Sequence, residues 1–311
     1  MSLPGAVDLA VAVGSLRLAN PVIAASGTFG YGVEFSHLTD LNRLGGIVVK
    51  GLSLEPMEGA SAPRMVPAAA GMLNAIGLQN VGVATFISDK LPALRGFRTA
   101  IIANVFGYRI EEYAEVIRRL ESAEGLAAYE LNISCPNTAC GGIQFGSDPR
   151  LVSEVVAAAR AAAKRPLWVK LSPLVTDIGL IARAAAEAGA DALTVANTYP
   201  AMSVDFRARS SRLGNATGGL SGRAIKPITL RLVSEAFRAV RIPVIGLGGI
   251  TSAEDVLEYM VVGASAVQVG TASFVDPKSC ERIISELRSL CAAENIFTIS
   301  KLTGTLGAKN G

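Results

Sequence analysis

Histidine is nearly missing from this sequence. The one present, His37, falls in a segment read as helix, away from every strand end, so serine–histidine and cysteine–histidine chemistry has no well-placed base. Cysteine is scarce as well. Cys135, Cys140, Cys280 and Cys291 show no C-x-x-C spacing, so the chain has no zinc or iron–sulfur ligand set of its own. They read as reduced thiols rather than a disulfide framework. Aromatic residues make up 5%, which leaves an aliphatic, alanine-rich core. No window approaches the roughly 18–20 uninterrupted apolar residues of a membrane span. Even the alanine-rich stretch 152–163 is broken by Glu154 and Arg160. The opening Met1-Ser2-Leu3-Pro4-Gly5 lacks the basic start and apolar run of a secretory signal, so a cytoplasmic setting is expected. Net charge is only +3, with no basic stripe. That argues against nucleic acid as a partner and is compatible with a small anionic ligand.

What is present is a supply of apolar residues, 50% of the chain against 18% charged. Short apolar runs bounded by Gly, Pro or Asn recur at 22–25, 46–50, 100–104, 129–134, 167–171, 192–196, 244–247 and 266–269. They are continuously apolar rather than alternating, as in a parallel sheet covered on both faces. Helical spacing follows each, near 35–43, 82–94, 110–123, 149–164, 177–188, 224–239, 253–262 and 277–293. Ser252 and Asp148-Pro149 stand where helix starts are expected. Strand-plus-helix units in this order predict one α/β domain over 1–311, a single (β/α)8 TIM barrel. Residues 7–13 and 15–18 around Gly14 are expected to form an N-terminal hairpin under it. Two long connections, 51–81 and 197–224, are read as inserted loops at the C-terminal face.

Parallel barrels keep their chemistry at the carboxyl ends of strands. There the sequence collects Ser26, Lys50 with Gly51, Asn104, Asn132, Lys170 with Ser172, Asn197 with Thr198, Gly248 with Gly249, and Gly270 with Thr271. Between Glu130 and Asn137 a buried strand breaks off into Cys135-Pro136-Asn137. A thiol there serves as base or nucleophile, or simply packs as a small hydrophobe. The glycines after the last two strands offer backbone N–H groups to a phosphate, or serve tight turns. A phosphate on one side, amides and lysines across the middle and a thiol opposite suggest flavin mononucleotide (FMN), with Lys170 near the electron-rich edge of the ring. A phosphate-substrate lyase or isomerase using Lys50 or Lys170 as a Schiff base is the rival reading. Asp177, Glu187 and Asp191 are taken as solvated or capping groups.

Ala25-Ser26-Gly27-Thr28, Val49-Lys50-Gly51, Asn74 to Asn80, Asn132 to Asn137, Ala196-Asn197-Thr198 and Gly248-Gly249-Ile250 together resemble the dihydroorotate dehydrogenases over essentially the whole length. Cys135 is similar to the base of class 1. Gly141-Gly142, Phe145-Gly146 and Gly218-Gly219-Leu220-Ser221-Gly222 look like subclass 1B, whose FMN subunit works with a partner subunit carrying FAD and a [2Fe-2S] cluster and reduces NAD+. Thr138-Ala139-Cys140 departs from the valine-lysine pair usual there. The resemblance implies oxidation of (S)-dihydroorotate to orotate in pyrimidine (UMP) biosynthesis, with Cys135 as the base. It also implies cofactor contacts from Ser26, Lys50, Gly51, Asn104, Asn132, Lys170, Val195, Gly222, Gly248, Gly249, Gly270 and Thr271. Substrate contacts would come from Lys50, Asn74, Ala75, Ile76, Gly77, Leu78, Asn132, Asn197 and Thr198. The assembly implied is a homodimer or a heterotetramer, and the alternative is a subclass 1A enzyme that uses fumarate.

Overall fold

A computed structural model describes residues 7–134 and 145–307. Cys135, Asn137, Cys140 and the glycines at 141 and 142 lie outside these residues. The first strands, β1 (Val11–Val13) and β2 (Leu16–Leu18), pair antiparallel across Gly14. That glycine has φ 62°, a left-handed conformation that favours a residue without Cβ. Then come β3 (Val22–Ala24), β4 (Gly46–Val48), β5 (Met65–Ala68), β6 (Gly71–Asn74), β7 (Ala100–Val105), β8 (Ala128–Asn132) and β9 (Leu167–Lys170). They are followed by β10 (Ala192–Val195), β11 (Tyr199–Ala201), β12 (Val204–Asp205), β13 (Ser210–Ser211), β14 (Gly218–Ser221), β15 (Val244–Leu247) and β16 (Ala264–Val269).

Strands β3, β4, β7, β8, β9, β10, β15 and β16 close into a barrel in that order, each parallel to its neighbours. This is the expected TIM barrel, and its strands are buried nearly throughout. The covering helices have one apolar face each. Residues Tyr113, Val116, Ile117 and Leu120 of the helix Ile110–Glu121 are buried, the i, i+3, i+4 spacing of an amphipathic helix. Helix Pro149–Ala162 is capped by Asp148, which accepts from Arg150 N and Leu151 N. Ser252 and Asp255 form a reciprocal capping box on Ala253–Val261. Asp177 caps Ile178–Glu187. Asp177 thus caps as expected, while Asp191, expected solvated or capping, instead pairs with Arg160 at 2.7 Å and accepts from Leu167 N.

The hairpin β1–β2 sits at the amino-terminal end of the barrel, where the Gly14 turn meets the backbone of Asp191 just ahead of β10. Asp8 bridges to Thr298, and Arg288 Nη1 donates to Val7 O at 3.0 Å.

Three expectations need correcting. The segment 35–43 is not an α-helix: two single 3₁₀ turns, Val33–Phe35 and Leu41–Arg43, stand in its place. Gly32 enters the first at φ 93°, and Asp40 turns its side chain back onto Asn42 N, which starts a separate turn. His37 is accordingly an exposed turn residue. The helix at 82–94 is interrupted by a π-helical stretch, Phe86–Lys90, just before Pro92, a residue that has no N–H to give the preceding turn. The long connections are not loops only. Strands β5 and β6 from the first join β11 and β14 from the second in one antiparallel sheet, ordered β11-β14-β6-β5. Strands β12 and β13 pair antiparallel beyond it.

Candidate active site

Strand alternation decides which side chains enter the barrel. The register sets Asn104 beside Glu130, Asn132 beside Lys170, and Lys170 beside Thr194, so all of them lie on the inner face. The interior is polar near its carboxyl end. Asn104, Glu130, Thr194, Gln268 and Lys170 are at most 5% exposed. Lys170 Nζ reaches across to Ser26 Oγ, at 3.4 Å. Gly51 stands beside this cluster: a Cβ there would lie 3.0 Å from Asn104 Oδ1 and 3.1 Å from Phe106. Lys50 precedes it, half-buried, with its N–H donated to Gly30 O at 2.8 Å. Burial pushes the Lys50 ammonium below its ordinary pKa; the positive charge of Arg64 pushes the same way and Glu34 opposes them.

A second group runs along the edge formed by β8, β10 and the antiparallel sheet. Ser134 Oγ donates to Asn132 Oδ1 at 2.7 Å, and Asn197 Nδ2 donates to Ser134 Oγ. Asn197 Oδ1 accepts from Thr198 N at 2.7 Å. Thr198 abuts Gly219, where an added Cβ would sit 2.1 Å from its hydroxyl. Asn74 Nδ2 donates to Gly219 O at 3.2 Å. Asn74, Thr198, Asn197 and Asn132 are thus linked in one run, although far apart in sequence. Within 75–78, Ala75 N–H is given to Arg64 O and Ile76 O accepts from Ala60. Gly77 is exposed, and Leu78 takes φ 58°. Asn80 clamps this segment, accepting from Gly82 N and donating to Leu78 O and Ser53 Oγ.

The third group gathers the glycines. Gly249 has φ 71°, and a Cβ on it would lie 2.7 Å from Lys226 and 3.0 Å from Gly222 O. Gly222, at φ 94°, touches Gly71, with a Cβ held to 2.6 Å from its Cα. Tyr259 OH donates to Gly248 O at 2.6 Å. Thr271 Oγ1 donates to Ser221 Oγ at 2.8 Å, and a Cβ on Gly270 would make ordinary contact with Ala25 and Thr28, at 3.6 and 3.7 Å. The ends of β15 and β16 and the turn after β14 therefore meet in one backbone-lined corner. Val195 is fully buried at the end of β10.

A TIM barrel with polar groups gathered at the carboxyl ends of its strands has the build of an enzyme. The family described as dihydroorotate dehydrogenase matches residues 8–291. The chain is 58% identical to "Putative dihydroorotate dehydrogenase A (fumarate)" of Solibacter usitatus, over 96% of this chain and 98% of that protein. It is 54% identical to the dihydroorotate dehydrogenase B (NAD(+)) catalytic subunit of Trichlorobacter lovleyi, and 50% to that of Thermodesulfovibrio yellowstonii, each over 96% and 98%. A crystal structure of the Eimeria tenella dihydroorotate dehydrogenase in complex with ferulenol shares the fold, with TM-score 0.82 and 22% identity over 97% of this chain and 89% of that one. The chain belongs to the dihydroorotate dehydrogenase family and is an oxidoreductase, which displaces the Schiff-base lyase reading.

Sequence reasoning gave no role to Glu130, Ser134, Thr194, Ser221 or Gln268. Glu130, Thr194 and Gln268 had a readable signal, a polar residue two places from an inward-facing neighbour in an otherwise apolar strand. Among the described residues no helix is long and apolar enough to cross a membrane.

Proposed function

We propose that this chain oxidises (S)-dihydroorotate to orotate in pyrimidine biosynthesis, using bound FMN. The observation that carries the reading is the run Asn74–Thr198–Asn197–Asn132, which meets Lys170 at the Asn132 register at the carboxyl ends of the strands. FMN, when bound, supplies the hydride acceptor for C6. The residues fit such a group. The corner at Gly222, Gly248, Gly249, Gly270 and Thr271 brings backbone together at the strand ends, with Gly222 packed against Gly71 and Gly249 against Lys226 and Gly222, and the backbone N–H groups of such a corner suit a phosphate. Lys170 brings a buried ammonium and Asn104 a buried amide to the ring side, with Ser26, Gly51 and Val195 as close wall. Asn74, Asn132, Asn197 and Thr198 present both donors and acceptors, as a dihydropyrimidine ring needs, and Lys50 supplies positive charge for its carboxylate. Backbone from Ala75 to Leu78 borders the same space. Cys135, next after Ser134 in the chain, removes the C5 proton while hydride leaves C6.

For the electron acceptor we infer NAD+, reached through a partner subunit with FAD and [2Fe-2S], in a cytoplasmic heterotetramer. The relatives named as NAD(+) catalytic subunits support NAD+ as the acceptor and a further subunit beside this chain. The Solibacter relative's name favours fumarate as the acceptor, and with it a homodimer is the second reading. The test is anaerobic: the purified chain should be yellow and bleach on addition of dihydroorotate, and a colourless chain, or a flavin that dihydroorotate does not bleach, refutes the activity. Fumarate-dependent turnover by the chain alone selects the second acceptor. Co-purification with an FAD and iron–sulfur protein selects the first.

A further inference from the structure

The interior of a TIM barrel is ordinarily filled with branched aliphatic side chains, yet this one holds a carboxylate. Glu130 is fully buried, and burial of such a group is costly unless hydrogen bonds satisfy it. Its partners are divided between its two oxygens. Oε2 accepts from Thr194 Oγ1 at 2.7 Å and from Gln268 Nε2, donors on β10 and β16. Oε1 accepts from Asn104 Nδ2 at 2.8 Å. Gln268 turns its NH2 toward Glu130 and Thr194, and its own Oε1 is left buried with no partner. That orphaned acceptor shows which contact governs the amide: the donation to Glu130.

Asn104 is the member of this network that adjoins Gly51, just past the carboxyl end of β4. With its NH2 directed onto Glu130, its Oδ1 is turned to the other side, toward Gly51. A free asparagine offers a donor and an acceptor and selects poorly between them. We propose that Glu130 is a positioning residue: by accepting from Asn104 Nδ2 it locks that amide, so the site presents only a carbonyl oxygen to a ring N–H of the bound flavin. Thr194 and Gln268 hold Glu130 in turn. The proposal rests on the FMN reading above.

The test uses the full chain stripped of flavin and titrated with FMN, with binding read by quenching of flavin fluorescence and by the visible spectrum of the complex. Glu130→Gln keeps the shape but can donate as well as accept, which frees Asn104 to flip. It should weaken FMN binding roughly tenfold, as expected for one misdirected buried hydrogen bond, and alter the bound flavin's band shape. Glu130→Asp, too short to reach Asn104, should shift binding in the same direction. Thr194→Val removes one of the two donors to Oε2 while Gln268 still holds the carboxylate and Oε1 still faces Asn104, so it should weaken FMN binding by less than Glu130→Gln does. A folded Glu130→Gln protein with wild-type affinity and spectrum overturns the proposal, and so does an unchanged Glu130→Asp if the glutamine variant does not fold. Equal weakening by Thr194→Val would reduce the network to general packing and also overturn it. If the wild-type chain does not bind FMN, the cofactor reading fails first.

Discussion

The two ends of the barrel are built from different materials. At the floor, β1 and β2 press Val11, Val13 and Leu18 against the barrel, each at most 5% exposed, and the fastenings are backbone bridges such as Asp8 to Thr298. At the mouth the barrel strands end at or beside lysine, asparagine, serine and glycine, and the contacts are side-chain hydrogen bonds spanning many residues of chain. Burial of apolar surface stabilises the floor. The mouth spends part of that stability on buried polar groups that must be paired. A change at the floor should therefore be read in stability, and one at the mouth in binding and turnover.

The sharpest way to break this division is at Cys135. Cys135→Ser should lower turnover by about 10²–10⁴, the usual contribution of a general base, while the protein stays yellow and keeps its melting temperature. A thiol with an ordinary pKa of about 8.5 is mostly protonated at neutral pH, so wild-type turnover should climb from pH 6 into the mildly alkaline range. A flat profile with chemistry rate-limiting counts against the assignment. At the opposite end, Leu18→Ala should cost about 2–5 kcal/mol in urea unfolding with orotate affinity unmoved. A large loss of affinity there would erase the contrast. Asn132→Ala should weaken orotate binding by roughly tenfold to a hundredfold, the cost of about 1–3 kcal/mol for an unpaired buried partner, as read by calorimetry.

The smallest effect concerns Asp255, which belongs to the mouth yet acts on stability. Burial raises its carboxyl pKa, but hydrogen bonds from Lys226 and Thr251 outweigh burial and hold it below the ordinary 3.8. A carboxylate depressed in the folded state contributes stability that is present above pH 3.8 and fades as pH falls through the folded value. Asp255→Asn should cost about 1 kcal/mol at pH 7, as for a lost helix cap. The cost should shrink in acid, as followed by melting temperature at pH 7 and pH 3.

The floor and walls were legible in the sequence because continuous apolar runs and capping residues such as Asp148 and Ser252 are local signals. The strands at 22–25 and 244–247 and the helices after Asp148 and Asp177 follow from them directly. The antiparallel sheet was not legible. Tyr199-Pro200-Ala201 and Gly218-Gly219-Leu220-Ser221 carry no apolar alternation, and β14 is a strand because it meets β6, a partner remote in sequence. Segment 35–43 misled because its apolar spacing suits a helix while Gly32 and Asp40 restart the chain. At the mouth the amides and lysines were legible one at a time from their place at strand ends. Their linkage was not, since Ser134 bridging Asn132 to Asn197, and Glu130 beside Asn104, join residues on different strands.

Between β11 and β14 the pair β12–β13 carries an outward tip at 206–209, where Phe206 is 72% exposed, and β11 and β14 are stitched into the same sheet as β6. A single protease cut at that tip leaves two polypeptides, each holding complete barrel strands and each zipped to the other on both sides of the nick. The enzyme should thus tolerate being split at this point and be recoverable from its two fragments mixed together.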